Sequence, residues 1–326
     1  MAVGALPGGS QVTRSVPSAG EVALRVVLPT GLVIAIALPF VVAGADLRLM
    51  TTVWMFAALA QCWNFIGGYV GYAAFGNVVF FGLGGYATAA VMLRGGPFAI
   101  GLLAAALLCA GFAVFIGLLV LRLRGPYFGI ATLGVAEAVS ELIVNFEPLG
   151  AGSGLSLPIA RDFRLFYYLL LSLVVVLVGV TWWIERSRLG YAFVAIRENE
   201  AAASALGINT LRYKVIAYAL GAGFTGVVGG IYAYWTTFID PSTVFSISYT
   251  VEMIAVCLIG GPGTILGPVA GALLFELLAG QIWAGFVTWH ATILGIVIIL
   301  LVLFLPRGLS SLRVRRWRRR LGVANA

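Results

Sequence analysis

From residue 26 onward the chain alternates between long apolar stretches and short polar or glycine-rich breaks. An α-helix needs about 20 apolar residues to cross the hydrocarbon of a bilayer, and most of these stretches reach that length. Runs such as Leu169–Val180 are continuously apolar, whereas strands of a membrane barrel alternate in polarity, so the pattern predicts helices. The ten predicted spans are 26–44, 50–68, 71–93, 97–121, 126–146, 165–184, 215–237, 248–260, 264–283 and 290–305.

Two of these spans leave alternatives open. The third, 71–93, is rich in glycine and is open to an irregular conformation. The eighth, 248–260, is short, and the break Gly260–Gly263 separates it from the ninth. A re-entrant element is allowed there if protein rather than lipid surrounds it. The predicted fold class is therefore an all-α, polytopic integral membrane protein with about ten transmembrane helices (eight to ten), and eight remains possible if the third or the eighth segment does not span.

The composition excludes an ordinary soluble protein. Of the 326 residues, 61% are hydrophobic and only 10% are charged, and the mean hydropathy is +1.06. Soluble domains carry ~25% charged residues, which cover their water-facing surface. The chain must therefore use lipid as its solvent.

The basic residues predict an orientation. With the N-terminus in the cytoplasm and ten crossings, all but four of the 20 Arg and Lys residues fall on the cytoplasmic side. Because cytoplasmic loops of membrane proteins carry such an excess, both termini are predicted inside. The predicted segments are an N-terminal tail (1–25), helices 1–6 (26–184), a cytoplasmic loop (185–214), helices 7–10 (215–305) and a basic cytoplasmic tail (306–326).

The basic tail contains six arginines between residues 313 and 320. Each arginine near an anionic membrane surface contributes roughly 1 kcal/mol of attraction, so the tail is interpreted as an anchor on membrane lipids. A contact with a partner or a regulatory role is the alternative.

Residues for common catalytic chemistry are scarce. Cys62, Cys109 and Cys257 lie inside apolar runs without metal-ligand spacing and are interpreted as small buried hydrophobes. His290 is the sole histidine, and no phosphate-binding glycine loop precedes the sole lysine, Lys214. No cofactor is expected on this chain, and a membrane-embedded enzyme is disfavoured.

Polar side chains inside the predicted spans are candidates for a translocation path. A charge at the bilayer centre costs roughly 2.5–3.5 kcal/mol, so such a side chain must face a cavity, a partner or a protein interface. The alternative role is a structural hydrogen bond between helices. Glu137 and Glu141 share one helix face and would also suit a second class of protein, an ion-coupled secondary transporter. The candidates are Asn64, Asn77, Glu137, Glu141 and Glu252, and Glu276 raises the same question.

Small residues recur at intervals of four, which lets membrane helices approach closely. The interpretation is packing rather than gating. The positions are Gly67 and Gly71, Gly226 and Gly230, and Gly263, Gly267 and Gly271.

The cytoplasmic loop contains good helix formers from Glu198 to Leu206, followed by Gly207, which is suited to end a helix. The result is a short helix with an alanine-rich side, held between two spans. Such a shallow knob fits the groove of a partner and would couple the motion of that partner into the membrane.

At this loop the chain resembles the coupling loop of ABC-importer permeases. From about residue 50 to 312 it is similar to the LivM-type permease subunits of branched-chain amino-acid importers. The resemblance rests on six stretches in order, namely Gly68–Tyr86, Leu121–Glu137, Gly150–Leu155, Ser187–Lys214, Leu258–Gly271 and Leu303–Leu309.

The resemblance implies a multi-pass subunit of a bacterial plasma membrane that has no enzymatic activity of its own. Its partners would be a homologous second permease (LivH-type), two cytoplasmic ATPases that bind ATP and magnesium, and a periplasmic or lipid-anchored substrate-binding protein. No nucleic acid is expected. The segment from Arg197 to Gly207 would form the helix that docks on the ATPase. Its implied coupling residues are Arg197, Glu198, Glu200, Ala202, Ala203 and Gly207.

Two departures from the family pattern bear on register and substrate. Gly207 lies one position late relative to Glu200, so Ala202 and Ala203 fill the alanine positions of the motif. The chain has Tyr72–Ala74 where the family usually has Gln-Leu-Ser, and Asn77 where a histidine is usual. Hydrophobic amino acids are the implied substrates, and urea or short amides, which related permeases move, are the alternative.

Overall fold

The computed structural model describes residues 19–123, 125–159, 162–285 and 295. Helices dominate this part of the chain, and two short strands pair as an antiparallel ribbon. The helices are α1 Ala19–Val41, α2 Ala45–Asn64, α3 Val78–Leu93, α4 Phe98–Val120, α5 Pro126–Val144, α6 Phe163–Glu185, α7 Arg188–Glu198, α8 Glu200–Ala205, α9 Thr210–Thr236, α10 Pro241–Val244, α11 Ile247–Gly260 and α12 Gly267–Gly285; the strands are β1 Leu155–Ser156 and β2 Phe238–Ile239.

Six helical segments in the described ranges are long and apolar enough to cross a membrane. They are Ala45–Tyr69, Phe98–Val120, Pro126–Val144, Phe163–Glu185, Thr210–Thr236 and Pro241–Gly260. Shorter apolar helices cover Pro29–Val41, Val78–Leu93 and Gly267–Ala279. The polytopic helical fold is confirmed, and the number of ten stays a prediction. The tenth predicted span (290–305, apart from Gly295), the basic tail and residues 1–18 lie outside the described residues.

Helix α1 forms a unit of its own. It contains Pro29 and Pro39. Its side chains of Val33, Phe40 and Val41 are exposed. Exposed apolar side chains of this kind are expected where lipid is the solvent.

The second unit, from Gly44 onward, is packed around α2 and α9. Most side chains of α2 are buried, and the helix packs against α6, α9, α11 and α12. The cysteines at 62, 109 and 257 are all buried and unpaired, as predicted. Helices α4 and α6 bury one side and expose apolar side chains such as Leu107 and Val176 on the other.

Helices α3, α4 and α9 approach closely through glycines. A Cβ atom on Gly84 would overlap backbone atoms of Gly226, and a Cβ atom on Gly226 would lie 2.6 Å from Cys109 Sγ. A Cβ atom on Gly230 would likewise come too close to the side chains of Thr88 and Leu102. The packing role predicted for Gly226 and Gly230 is confirmed.

The chain between α2 and α3 is not a regular helix. A π-helical turn, Phe65–Tyr69, extends α2, and α3 begins only at Val78. The backbone N–H of Phe75 donates to Thr132 Oγ1 and that of Val78 donates to Thr250 Oγ1, both at 3.1 Å. The predicted third span over 71–93 is therefore helical only in its second part, because side chains of other helices bind the released amides.

A second break separates α11 from α12, as the sequence predicts. Gly261 and Gly263 have φ of 111° and 70°, which a side chain would strain. Helix α11 has 14 residues and spans about 21 Å, less than the ~30 Å of hydrocarbon. The preceding α10 extends this segment to 20 residues.

We predict that Gly84→Leu destabilises the fold by about 2 kcal/mol or more, because the added side chain would enter the backbone of α9. Gly179→Leu is the matched control, since a Cβ atom there meets nothing within 4 Å. Thermal unfolding of both variants in detergent measures the difference. Equal melting temperatures would contradict the close approach of α3 and α9.

Candidate coupling site and translocation path

Two helices, not one, form the loop that the sequence predicts to be cytoplasmic. Helix α7 ends at Glu198, and Asn199 takes an extended conformation whose side chain caps α8 by accepting from the Ala202 N–H at 3.0 Å. The prediction of one helix from 198 to 206 is therefore wrong at its start, because asparagine caps helices better than it continues them. Arg197 and Glu198 close α7 and do not belong to the alanine-rich helix.

Gly207 ends the second helix as predicted. Its φ is 87°, its N–H donates to Ser204 O at 3.0 Å, and the N–H of Ile208 donates to Ala203 O at 3.1 Å. These bonds form a Schellman motif, in which glycine avoids the strain of the left-handed conformation.

Helix α8 divides into a buried and an exposed side. Ala203 is buried, whereas Ala201, Ala202 and Ala205 are exposed. Leu206 is 82% exposed. An apolar surface of small side chains is thus open at the loop and offers a shallow contact for another protein.

The other side of α8 is fixed by a buried lysine. Lys214 Nζ donates to Glu200 Oε1 at 2.8 Å, to Leu121 O at 2.8 Å and to Tyr72 OH at 3.1 Å. Tyr72 OH in turn donates to Glu200 Oε2. The ammonium group uses all three N–H donors, which offsets the cost of its burial. We call Tyr72, Glu200 and Lys214 the lysine cluster; it joins α8 to α9 and to the irregular segment after α2.

The lysine cluster keeps Glu200 ionised. Burial raises the pKa of a carboxyl, but the hydrogen bonds from Lys214 and Tyr72 and the Lys214 charge outweigh burial, so the pKa of Glu200 lies below its ordinary value. Since the folded pKa is depressed, the stabilisation is present above the ordinary pKa and is lost as pH falls through the folded pKa.

Arg197 connects α7 to both helix breaks. Its Nη1 donates to Gly68 O at 3.0 Å, within the π-helical turn. A Cβ atom on Gly71 would lie 2.9 Å from Arg197 Cγ, and one on Gly263 would lie 2.5 Å from Nη1. Only glycine leaves room for the guanidinium between the two breaks.

Asn64 joins the same two breaks from inside. Its Oδ1 accepts from the Gly263 N–H at 2.7 Å, and its Nδ2 donates to Thr264 O at 3.0 Å. The side chain is fully buried. Together with Arg197 it holds the connection 261–266 against the end of α2.

The other candidate path residues lie apart from Asn64. Asn77 is buried beside the start of α3. Glu137 lines a cavity of about 300 Å³ with Ser140 and Ser246, and Glu141, one turn further along α5, is exposed. The structure therefore does not gather the five predicted path residues into one site.

Glu252 lies at the opposite end, where α2 begins. It lines a cavity of about 580 Å³ with Arg48, Phe56 and Glu276. A wider cavity of about 1070 Å³ shares Arg48, Phe56 and Glu252 with the first. The described part of the protein is thus hollow at the end where α2 begins, opposite to the end that carries α7 and α8.

Residues 45–303 match a family described as the permease component of branched-chain amino acid transport systems. The chain belongs to this permease family. It is 29% identical over 311 residues to the high-affinity branched-chain amino acid transport system permease protein LivM of Salmonella typhimurium, a match that covers 85% of this chain and 73% of the relative. LivM of Escherichia coli K12 is 30% identical over 317 residues, with the same coverage.

More distant relatives have other names. The autoinducer 2 import system permease protein LsrC of Photorhabdus laumondii is 26% identical over 215 residues, which cover 60% of this chain and 61% of the relative. No solved structure matches the permease. The relatives and the apolar helices together show a multi-pass plasma-membrane protein of an amino-acid ABC permease family.

Sequence reasoning missed two members of the lysine cluster. Lys214 is the single lysine of the permease and begins a membrane span, which was a visible signal. The sequence around Tyr72 contained no such signal, because its partner Glu200 is 128 residues away. A contact of this separation is decided by tertiary packing.

We predict that Glu200→Gln destabilises the permease by about 3 kcal/mol, because it leaves the ammonium of Lys214, which is 3% exposed, without its counterion. Lys214→Met has a smaller effect, since the carboxylate of Glu200 is 17% exposed and keeps Tyr72. Thermal unfolding of the two single variants and the double variant measures this order.

The double variant should be more stable than Glu200→Gln alone, since it removes the unpaired charge. Additive effects of the two substitutions would show that the lysine cluster does not act as a unit.

Proposed function

We propose that the permease is the membrane subunit of a binding-protein-dependent ABC importer for branched-chain or other hydrophobic amino acids. Two separate sets of contacts carry the proposal: Glu200 of α8 and Lys214 bind Tyr72 after α2, and Arg197 of α7 contacts the breaks at Gly68 and Gly263. Motion of α7 and α8 would reach the helix breaks through these contacts.

The proposed topology has both termini in the cytoplasm and ten crossings, with the segments 1–25, 26–184, 185–214, 215–305 and 306–326 in the roles predicted above. The distribution of basic residues supports it. The lysine cluster and Arg197 would then lie at the cytoplasmic end, and the hollow end near Arg48 would face outward.

Two ATPases on partner chains would bind ATP and magnesium and dock on the exposed alanines of α8. A second, LivH-type permease would cover the exposed face of α5. The exposed carboxylates of Glu137 and Glu141 support a protein neighbour there, because a charge facing lipid is costly. A substrate-binding protein would deliver the amino acid at the outer end.

In the proposed mechanism, closure of the ATPases displaces α7 and α8. Arg197 then pulls on Gly68 O, and Glu200 and Lys214 pull on Tyr72. Release of the Asn64 bonds to Gly263 and Thr264 would open the inner end while the outer end closes. Each step breaks a few hydrogen bonds, each of which contributes ~1 kcal/mol net, which ATP hydrolysis can supply.

We predict that Gly207→Trp uncouples transport from ATP hydrolysis, because the strained and bulky residue disturbs the end of α8. Gly95→Trp is the matched control. Gly95 also has a positive φ of 82° with open space around it, but it lies at the other end of α3 and α4. Uptake and ATPase rate of the reconstituted complex are measured together.

The expected result is a loss of uptake by about tenfold in Gly207→Trp, a loss of ~1.4 kcal/mol, and little change in Gly95→Trp. Equal uptake by both variants, or failure of any ATPase to associate with the permease, would contradict the coupling role.

We further predict that proteoliposomes of the complete importer take up labelled leucine, and not urea or acetamide, because the outer cavities have aromatic and aliphatic walls. Uptake should stop when ATP is withheld and should persist when a protonophore removes the proton gradient. Preferred uptake of urea would show that urea or short amides, rather than hydrophobic amino acids, are the substrates. Dependence of uptake on the proton gradient would favour an ion-coupled transporter.

A further inference from the structure

The outer side of the second half of α6 faces away from the rest of the protein. The side chains of Val175, Val176 and Trp183 are exposed, Trp183 to 59%. A Cβ atom on Gly179 would meet nothing within 4 Å. Because α6 is long and apolar enough to cross a membrane, this side meets hydrocarbon wherever no protein covers it.

Four residues of this side lie along one line. Val175, Gly179, Trp182 and Arg186 follow one another at intervals of four, three and four, which places them on one helix face. Eleven residues of helix advance ~16 Å, about the hydrocarbon thickness of one leaflet. The line runs from an aliphatic group over an open position to an aromatic ring and then to a cation. A phospholipid presents matching groups in the same order, from its acyl chain to its phosphate.

The cation at the end of this line is held in place by the aromatic ring. The guanidinium carbon of Arg186 lies 4.2 Å from the centroid of the Trp182 ring. Such stacking fixes the direction of the guanidinium and leaves the N–H donors at its edge available to an oxyanion.

No carboxylate of the protein takes up those donors. Among the residues that the structure describes, the ion pairs are those of Arg197 and Lys214, and neither includes Arg186. The adjacent Glu185 accepts a hydrogen bond from Tyr69 OH at 3.2 Å, which directs its carboxylate towards the end of α2. Arg186 therefore presents a positive charge at the surface without a counterion from the described part of the chain.

The turn that carries Arg186 is tightly built. Ser187 Oγ donates to Ile184 O at 2.8 Å and accepts from the Leu189 N–H at 3.2 Å. A Cβ atom on Gly190 would lie 2.4 Å from Ile184 O, so α7 starts close against the end of α6. Arg188, the first residue of α7, is exposed and adds positive charge at this end. The basic residues predict that this end faces the cytoplasm, where the leaflet carries anionic lipids.

We propose that this side of α6 is a binding site for an anionic phospholipid, whose acyl chain lies along Val175 and Gly179 and whose phosphate is bound by Arg186 beside Trp182. The inference goes beyond the proposed function and does not depend on the transported substrate. A phospholipid uses the whole line, whereas a free phosphate would use Arg186 alone and leave the apolar part open.

The test is native mass spectrometry of the full-length permease in a nonionic detergent. The permease is titrated with phosphatidylglycerol and, in parallel, with phosphatidylcholine that has the same dioleoyl chains. The first phosphatidylglycerol should bind about tenfold more tightly, because the choline group neutralises the phosphate of the other lipid. Inorganic phosphate at the same concentration should not displace phosphatidylglycerol, since it lacks the chains.

Four variants locate the site. Arg186→Gln should weaken phosphatidylglycerol binding by about tenfold, to the level of phosphatidylcholine. Arg186→Lys, which keeps the charge and loses the planar stack, should bind at an intermediate level. Trp182→Leu should weaken binding by about threefold, since the guanidinium is no longer held. Arg212→Gln is the matched control, because it removes an exposed arginine from the first turn of α9 at the same end. It should bind as the unaltered permease does, and thermal unfolding identifies variants that fail to fold.

Three results would overturn the inference: equal affinity for the two phospholipids, unchanged phosphatidylglycerol binding in Arg186→Gln, or an equal loss in Arg186→Gln and Arg212→Gln, which would show a general attraction between charges. Displacement by inorganic phosphate would also overturn it, by showing an anion site without a lipid. The same measurement on the permease purified with its partner subunits covers the remaining case. Loss of the Arg186-dependent lipid from that complex would show that another protein, and not lipid, covers this side of α6.

Discussion

The structure depends on one constraint, which is that a backbone polar group at membrane depth must find a partner inside the protein. The chain breaks its helices after α2 and after α11, and each break releases amide and carbonyl groups. Asn64, Thr132, Thr250 and Arg197 bind those groups. A polar side chain inside the membrane therefore often marks a break in a neighbouring helix. The contacts of Asn64 accordingly show a structural role and not a place in a translocation path.

This constraint also explains how the loop can influence the interior. An unbroken helix moves as a rigid body. A segment held by a few side-chain hydrogen bonds has alternative conformations that are close to it in free energy. The breaks next to Arg197 are such segments, and the lysine cluster attaches α8 to the one after α2. The segments that are easiest to rearrange are thus those that α7 and α8 contact.

Much of the fold was predictable from the chain because lipid imposes a simple rule of length and polarity. The apolar runs located the spans, and the glycines at 260–263 and 207 located a break and a helix end, since positive φ values favour glycine strongly. Asn199 was misread, because the alanines around it favour a helix and hide a cap. The lysine cluster and the Glu276 cavity could not be derived, since Lys214 meets Leu121 across 93 residues and the cavity is formed by several helices.

The single lysine has a practical consequence. Its amine donates three hydrogen bonds and is nearly inaccessible, so reagents that acylate amines should find no reactive side chain while α8 is seated. Acylation of Lys214 would then proceed only as fast as α8 lifts away from α9. Acylation of Lys214 would thus report whether α8 is seated, and mass spectrometry can follow it without any introduced label.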